Sequence, residues 1–163
     1  MSTLAKVTRL PEVVEQRERW RVEGKTVALA NGVFDLLHVG HVRYLEGAKE
    51  LADYLVVAVN SDASTRAYKG PGRPHIPEGE RAELVAALAC TDRVLIFDEP
   101  NVRHIIRALK PDVHVKGTDY TPDTIPEADE VRAYGGRVAV SGDPKNHSTT
   151  ELASKLQAER QSK

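Results

Sequence analysis

The sequence predicts an α/β domain: a doubly wound parallel five-stranded sheet with helices on both faces. Two observations predict it. Short runs rich in Val, Leu and Ile carry little polar alternation, as parallel strands covered on both faces do. These runs alternate with segments of helical spacing, and a βαβα order implies right-handed crossovers that place helices on each side of the sheet. The 163 residues suit one domain, read as an N-terminal helical extension over 1–24 and a core over 25–157.

The elements follow in order. Residues 11–23 hold Val13, Val14 and Trp20 among many charges and read as an amphipathic helix with Pro11 in its first turn. Residues 27–30 form an apolar, partly β-branched first strand, and 42–51 follow with Leu45, Ala48 and Leu51 at helical spacing. Further strands are expected at 54–60, 93–97, 113–116 and 137–141, and further helices at 63–68, 78–90, 102–109, 127–134 and 149–159. Residues 70–77, Gly-Pro-Gly-Arg-Pro-His-Ile-Pro, are the one long irregular stretch. Long loops inside small domains are often functional.

Composition excludes several classes. Lys and Arg number 23 against 24 Asp and Glu, a net charge of −1, so bulk nucleic-acid binding is not indicated. The single cysteine, Cys90, rules out an internal disulfide and a Cys-rich zinc site. It ends an apolar run and reads as a small buried hydrophobe. No apolar stretch approaches ~20 residues, so no membrane span is expected. The N-terminus lacks the apolar segment of a signal peptide, and a cytoplasmic protein is the expectation.

In open α/β sheets ligands bind beyond the carboxyl ends of the strands. Four polar segments converge there. After the first strand come Asn31, Gly32, Val33, Phe34 and Asp35, then His38-Val39-Gly40-His41. After the second comes Asn60, after the fourth Lys116, Gly117, Thr118 and Asp119, and after the fifth Ser148, Thr149 and Thr150. A helix start offers unpaired N–H groups and the positive end of the macrodipole, and is an anion site. His38 and His41 add N–H donors beside it, and Gly40 admits a ligand close to the backbone.

Each residue has a plainer reading. His38 and His41 could only cap the helix, and no HExxH metal pattern is present. Asp35 could cap a helix or orient a substrate hydroxyl or metal ion. Lys69 and Arg73 could be solvated charges or a phosphate clamp. Arg81 could pair with Glu78 or bind phosphate. His75, His104 and His114 read as structural or surface residues, and His147 stays open.

These residues resemble the HxGH nucleotidyltransferase superfamily, a Rossmann-like fold. Within it they resemble the bacterial D-glycero-D-manno-heptose 1-phosphate adenylyltransferases, over about residues 26 to 157. The HxGH element carries the superfamily; Lys69-Gly70-Pro71-Gly72-Arg73-Pro74 and Lys116-Gly117 with Asp119-Tyr120-Thr121 point to the heptose branch. The resemblance implies attack of a sugar-phosphate oxygen on the α-phosphorus of ATP, with Mg2+ on the triphosphate, giving ADP-heptose and pyrophosphate. It implies that His38, His41, Lys69 and Arg73 contact the phosphates and developing charge. Asn31, Gly32, Val33, Phe34, Gly40, Lys116, Gly117, Asp119, Ser148, Thr149 and Thr150 would bind nucleotide, and Asp35, Asn60 and Arg81 the sugar phosphate. It also implies a homodimer. In many bacteria such a domain is fused to a sugar kinase; 163 residues leave no room for one, so separate enzymes are expected to supply the substrate.

Two departures bear on the base. Thr118 stands where the family usually has glycine, and Asn146-His147 precede Ser148 in place of glycine and an aromatic or aliphatic residue. Adenine is the expected base, with cytosine and guanine left open. The alternatives are a glycerol 3-phosphate-type cytidylyltransferase and a non-catalytic nucleotide-binding domain.

Overall fold

The structure, a computed structural model, describes residues 1–144 and 149–161. The sequence candidates Asn146, His147 and Ser148 lie outside them. A 3-10 turn at Leu4–Lys6 precedes helix α1 (Leu10–Val22), and the sheet begins with β1 (Val27–Gly32). Then follow α2 (Val39–Lys49), β2 (Tyr54–Asn60), α3 (Asp62–Lys69), α4 (Glu78–Ala87), β3 (Arg93–Phe97), α5 (Arg103–Leu109), β4 (Val113–Lys116), α6 (Ala128–Ala133), β5 (Arg137–Val140) and α7 (Thr149–Gln161).

All five strands are parallel, in the order β3-β2-β1-β4-β5. Chain order reverses direction between β1 and β4, so the switch point of the sheet lies at their carboxyl ends. The strand faces divide the core as the pleat requires. On one face Ala28, Ala30, Leu55, Val57 and Val59 meet Leu45 and Ala48 of α2 and Ala82, Val85 and Ala86 of α4. On the other, Val27, Leu29, Val56 and Ala58 meet Val13 and Trp20 of α1, Ile105, Ile106 and Leu109 of α5, and Val131 of α6. The segment before residue 25 thus packs on the sheet: Trp20 stacks on Tyr54 with ring centroids 4.1 Å apart, and Val7 bridges to Val94.

Several boundaries differ from the sequence expectation for local reasons. Strand β1 runs two residues further, to Gly32, because Asn31 and Gly32 pair in register with Ala58 and Val59. Helix α2 starts at Val39, not 42, because His38 caps it, which puts His41 inside the first turn. Helix α4 stops at Ala87, where Leu88 turns extended, so Cys90 is not helical. Lys69 is the last residue of α3 rather than part of the loop. Gly47 lets α2 approach the end of β5: a Cβ there would collide with Ser141 Oγ.

Candidate active site

The connection from β1 to α2 is strained. Phe34 and Leu36 adopt left-handed backbone conformations, φ 52° and 47°, which non-glycine residues seldom take. The Phe34 ring packs edge-on to His41 at 5.3 Å between centroids and lies parallel to Tyr44 at 6.4 Å. Packing thereby holds the turn that delivers the two histidines.

The histidines cap the helix and also offer donors. His38 Nδ1 accepts from Gly40 N–H at 3.1 Å, and His41 Nδ1 accepts from His38 N–H at 3.3 Å. Their rings stack 3.8 Å apart. A neutral imidazole whose Nδ1 accepts carries its proton on Nε2. Both rings therefore present Nε2–H at the positive end of α2. Burial, with the positive influence of His38 and Lys69, pushes His41 down to about 4 against the opposing pull of Asp35. His41 is a neutral donor at pH 7.

Two cavities meet at this point. The first, about 290 Å³, is lined by His38, Gly40, His41, Tyr44, Lys69, Gly117, Thr118, Asp119 and Thr150, and by 141–144 beyond β5. A Cβ on Gly117 would meet nothing within 4 Å, so the missing side chain leaves open space there. The Thr118 hydroxyl donates to the Asp143 carbonyl at 2.6 Å, which ties the β4 and β5 loops together. The second cavity, about 320 Å³, is lined by Asn31, Gly32, Val33, Phe34, Asp35, Asn60 and Lys116, with Tyr68, Phe97, Asn101, Tyr120 and Glu127. His41, Lys69 and Thr149 line both. The Thr149 hydroxyl donates to the Asp35 carbonyl, fixing the start of α7 against the β1 connection.

The expected nucleotide set thus divides. Gly40, Gly117, Asp119 and Thr150 line the first cavity; Asn31, Gly32, Val33, Phe34 and Lys116 line the second, beside Asn60. Lys116 Nζ reaches Asn31 Oδ1 at 3.4 Å and lies 5.0 Å from the Tyr120 ring centroid.

Three charged candidates bond to the protein itself, Arg73 keeping one buried nitrogen, Nη2, without a hydrogen-bond partner. Arg81 is fully buried, and its Nε donates to Ile76 O, its Nη1 to Val33 O and Asn60 O, and its Nη2 to Asp62 Oδ1 at 2.7 Å. Glu78 does not pair with it; that carboxylate accepts from Asp62 N–H. Arg81 lines neither cavity and braces the ends of β1 and β2, a correction to both readings of it. Asp35, 1% exposed, caps no helix; it accepts from Arg73 Nε and from the N–H groups of His75 and Ile76. Arg73 lines neither cavity, because Asp35 holds it. Of Lys69 and Arg73, Lys69 alone lines both cavities.

Sequence reasoning passed over Tyr44, whose hydroxyl donates to Val115 O at 2.6 Å beneath the first cavity. It also passed over Phe97, Asn101 and Glu127. Phe97 and Asn101 follow the rule of strand carboxyl ends, applied to β3; nothing local marks Glu127. Among the described residues no group of three or more His, Cys, Asp or Glu could hold a metal ion, and no helix is long and apolar enough to cross a membrane.

A five-stranded parallel sheet with a histidine-capped helix at its switch point defines an α/β nucleotidyltransferase fold. Residues 29–155 match the cytidylyltransferase-like family model, and the chain belongs to that family of nucleotidyltransferases. It is 50% identical over 147 residues to the bifunctional protein HldE of Syntrophotalea carbinolica, covering 90% of this chain and 29% of that protein. It is 47% identical over 152 residues to the bifunctional protein HldE of Geobacter metallireducens, covering 93% and 31%. The chain thus spans about three tenths of the length of these curated relatives. The crystal structure of the lipopolysaccharide core biosynthesis protein from Thermoplasma volcanium superposes with a TM-score of 0.64 at 29% identity, covering 75% of this chain and all of that one. A pantoate-beta-alanine ligase from Francisella tularensis, at 11% identity and a TM-score of 0.57 over 88% and 68% of the two chains, shares the fold.

Proposed function

We propose that the domain joins the α-phosphate of ATP to D-glycero-D-manno-heptose 1-phosphate, giving ADP-heptose and pyrophosphate. The observation that carries this reading is the junction of two cavities at His41, Lys69 and Thr149. A triphosphate in the first cavity and a sugar phosphate in the second would meet there. An oxygen of the acceptor phosphate attacks the α-phosphorus in line, the bond to the β-phosphate oxygen breaks, and pyrophosphate leaves with the electron pair. No enzyme nucleophile is required. Catalysis is positioning and stabilisation of developing charge: the Nε2–H donors of His38 and His41 and the Lys69 ammonium act on the phosphates. Gly40, Gly117, Asp119, Thr150 and Ser148 belong to the nucleotide side in this reading, and Asn31, Asn60 and Lys116 to the acceptor side. Magnesium enters with the nucleotide as part of that substrate.

The heptose acceptor is supported by similarity to the HldE proteins and by the Lys69–Pro74 sequence. The reading includes a homodimer in the cytoplasm, and a monomer mass by light scattering would overturn the dimer. The test of function is pyrophosphate release with D-glycero-β-D-manno-heptose 1-phosphate against ATP, CTP, GTP and UTP with magnesium. Release with ATP supports the proposal. Release with another triphosphate moves the base assignment, and release only with CTP and glycerol 3-phosphate replaces it by the cytidylyltransferase reading. Binding without turnover on any acceptor would make this a nucleotide-binding domain.

A further inference from the structure

We propose that Glu127 is the specificity-determining residue of the second cavity and accepts hydrogen bonds from the hydroxyl groups of a polyhydroxylated phosphate. This rests on the assignment of that cavity to the acceptor. Glu127 immediately precedes α6, yet its side chain makes no capping hydrogen bond. Its side chain is 7% exposed, and Oε2 has no hydrogen-bond partner. The nearest cation-forming group is His114 Nε2, 3.5 Å from Oε2 on a fully buried ring, which pulls Glu127 down but lies outside good hydrogen-bond geometry. A buried carboxylate so placed is costly unless something donates to it. The residue lines the cavity, so a ligand there can supply the donors.

The chemistry of the lining selects the ligand. Burial raises Glu127, but His114 and Lys116 outweigh this and hold the group below the usual glutamate range, so it is an anion at neutral pH. An anion repels phosphate and accepts from neutral hydroxyls. Lys116, in the same cavity, supplies the complementary charge for the phosphate. Asn31, Asn60 and Asn101 add amide groups, and Phe97 an apolar ring face. A ligand that carries both a phosphate and several hydroxyls matches this set. Free phosphate matches only half of it.

The test is Glu127→Gln, which keeps size and removes the charge. Acceptor KM and calorimetric binding of heptose 1-phosphate, glycerol 3-phosphate and inorganic phosphate are measured on both proteins, with ATP binding alongside. The expected result is that E127Q weakens heptose 1-phosphate by on the order of tenfold, acting on acceptor KM more than on kcat, with little effect on inorganic phosphate or ATP. Glu127→Asp, which keeps the charge one methylene further back, is expected to lose less, and it replaces E127Q if that variant does not fold. Equal binding of heptose 1-phosphate by wild type and variant overturns the inference. So does a wild type that binds heptose 1-phosphate no better than inorganic phosphate. A selective loss of binding in a domain that releases no pyrophosphate supports this assignment while defeating the proposed reaction.

Discussion

Arg73 Nε donates to Asp35 Oδ2 at 3.0 Å, and the same carboxylate takes the backbone N–H groups of His75 and Ile76 at 3.0–3.1 Å. One aspartate at the end of β1 therefore anchors the loop that leaves Lys69. The relationship converts two apparent ligand residues into a brace.

Asp35→Asn is expected to cost about 3 kcal/mol in urea unfolding, since it leaves Arg73 without its counter-charge. Burial raises the Asp35 pKa, but the His75 and Ile76 N–H groups and Arg73 outweigh it, and the net shift is downward. A depressed carboxylate contributes stability above its unfolded value that is lost as pH falls through the folded one. The wild type should therefore lose stability below about pH 4 on this account, and the asparagine variant should lack that component. Arg73→Ala should raise the triphosphate KM through disorder of the loop beyond Lys69; unchanged kinetics would disconnect the loop from the site.

His41→Ala should lower kcat by on the order of 10² with the fold retained by circular dichroism, as loss of one transition-state donor does. Wild-type turnover would remove His41 from the mechanism.

The His41 pKa of about 4 carries a second expectation. Between about pH 6.5 and 4 the unfolded histidine binds a proton and the folded one does not, so stability rises with pH across that window. His41→Gln has no such proton. The difference in unfolding free energy between wild type and variant should shift by at most about 3 kcal/mol from pH 7 to pH 4, against the wild type in acid. A pH-independent difference would mean that His41 titrates normally.

Arg81→Met should destabilise by about 3–5 kcal/mol, because Asp62 and the Val33 and Asn60 carbonyls lose their shared donor. Loss of activity at full stability would instead assign Arg81 to substrate.

Gly117→Ala tests the first cavity. The added methyl meets no protein atom within 4 Å and needs no left-handed backbone. Melting temperature should hold while nucleotide KM rises several-fold; unchanged KM would place the nucleotide elsewhere.

The strands β2 and β3 fall where the sequence predicts them, because their centres are buried on both faces and are continuously apolar. The histidine pair was equally legible, since its spacing, its glycine and its place after a strand are all local. Arg81 and Asp35 were not, because whether a charge faces a ligand or a backbone carbonyl depends on which chain segment lies opposite.

By itself, then, the sequence determined the alternation of strands and helices, the family, and the anion-binding helix start, all set by neighbours in the chain. Tertiary structure alone decided that β1 lies between β2 and β4, that the polar segments line two cavities joined at His41, Lys69 and Thr149, and that Glu127 lines one of them beside Asn31 and Asn60. Those facts rest on contacts between residues tens of positions apart, where burial and charge compensation are settled by what packs opposite.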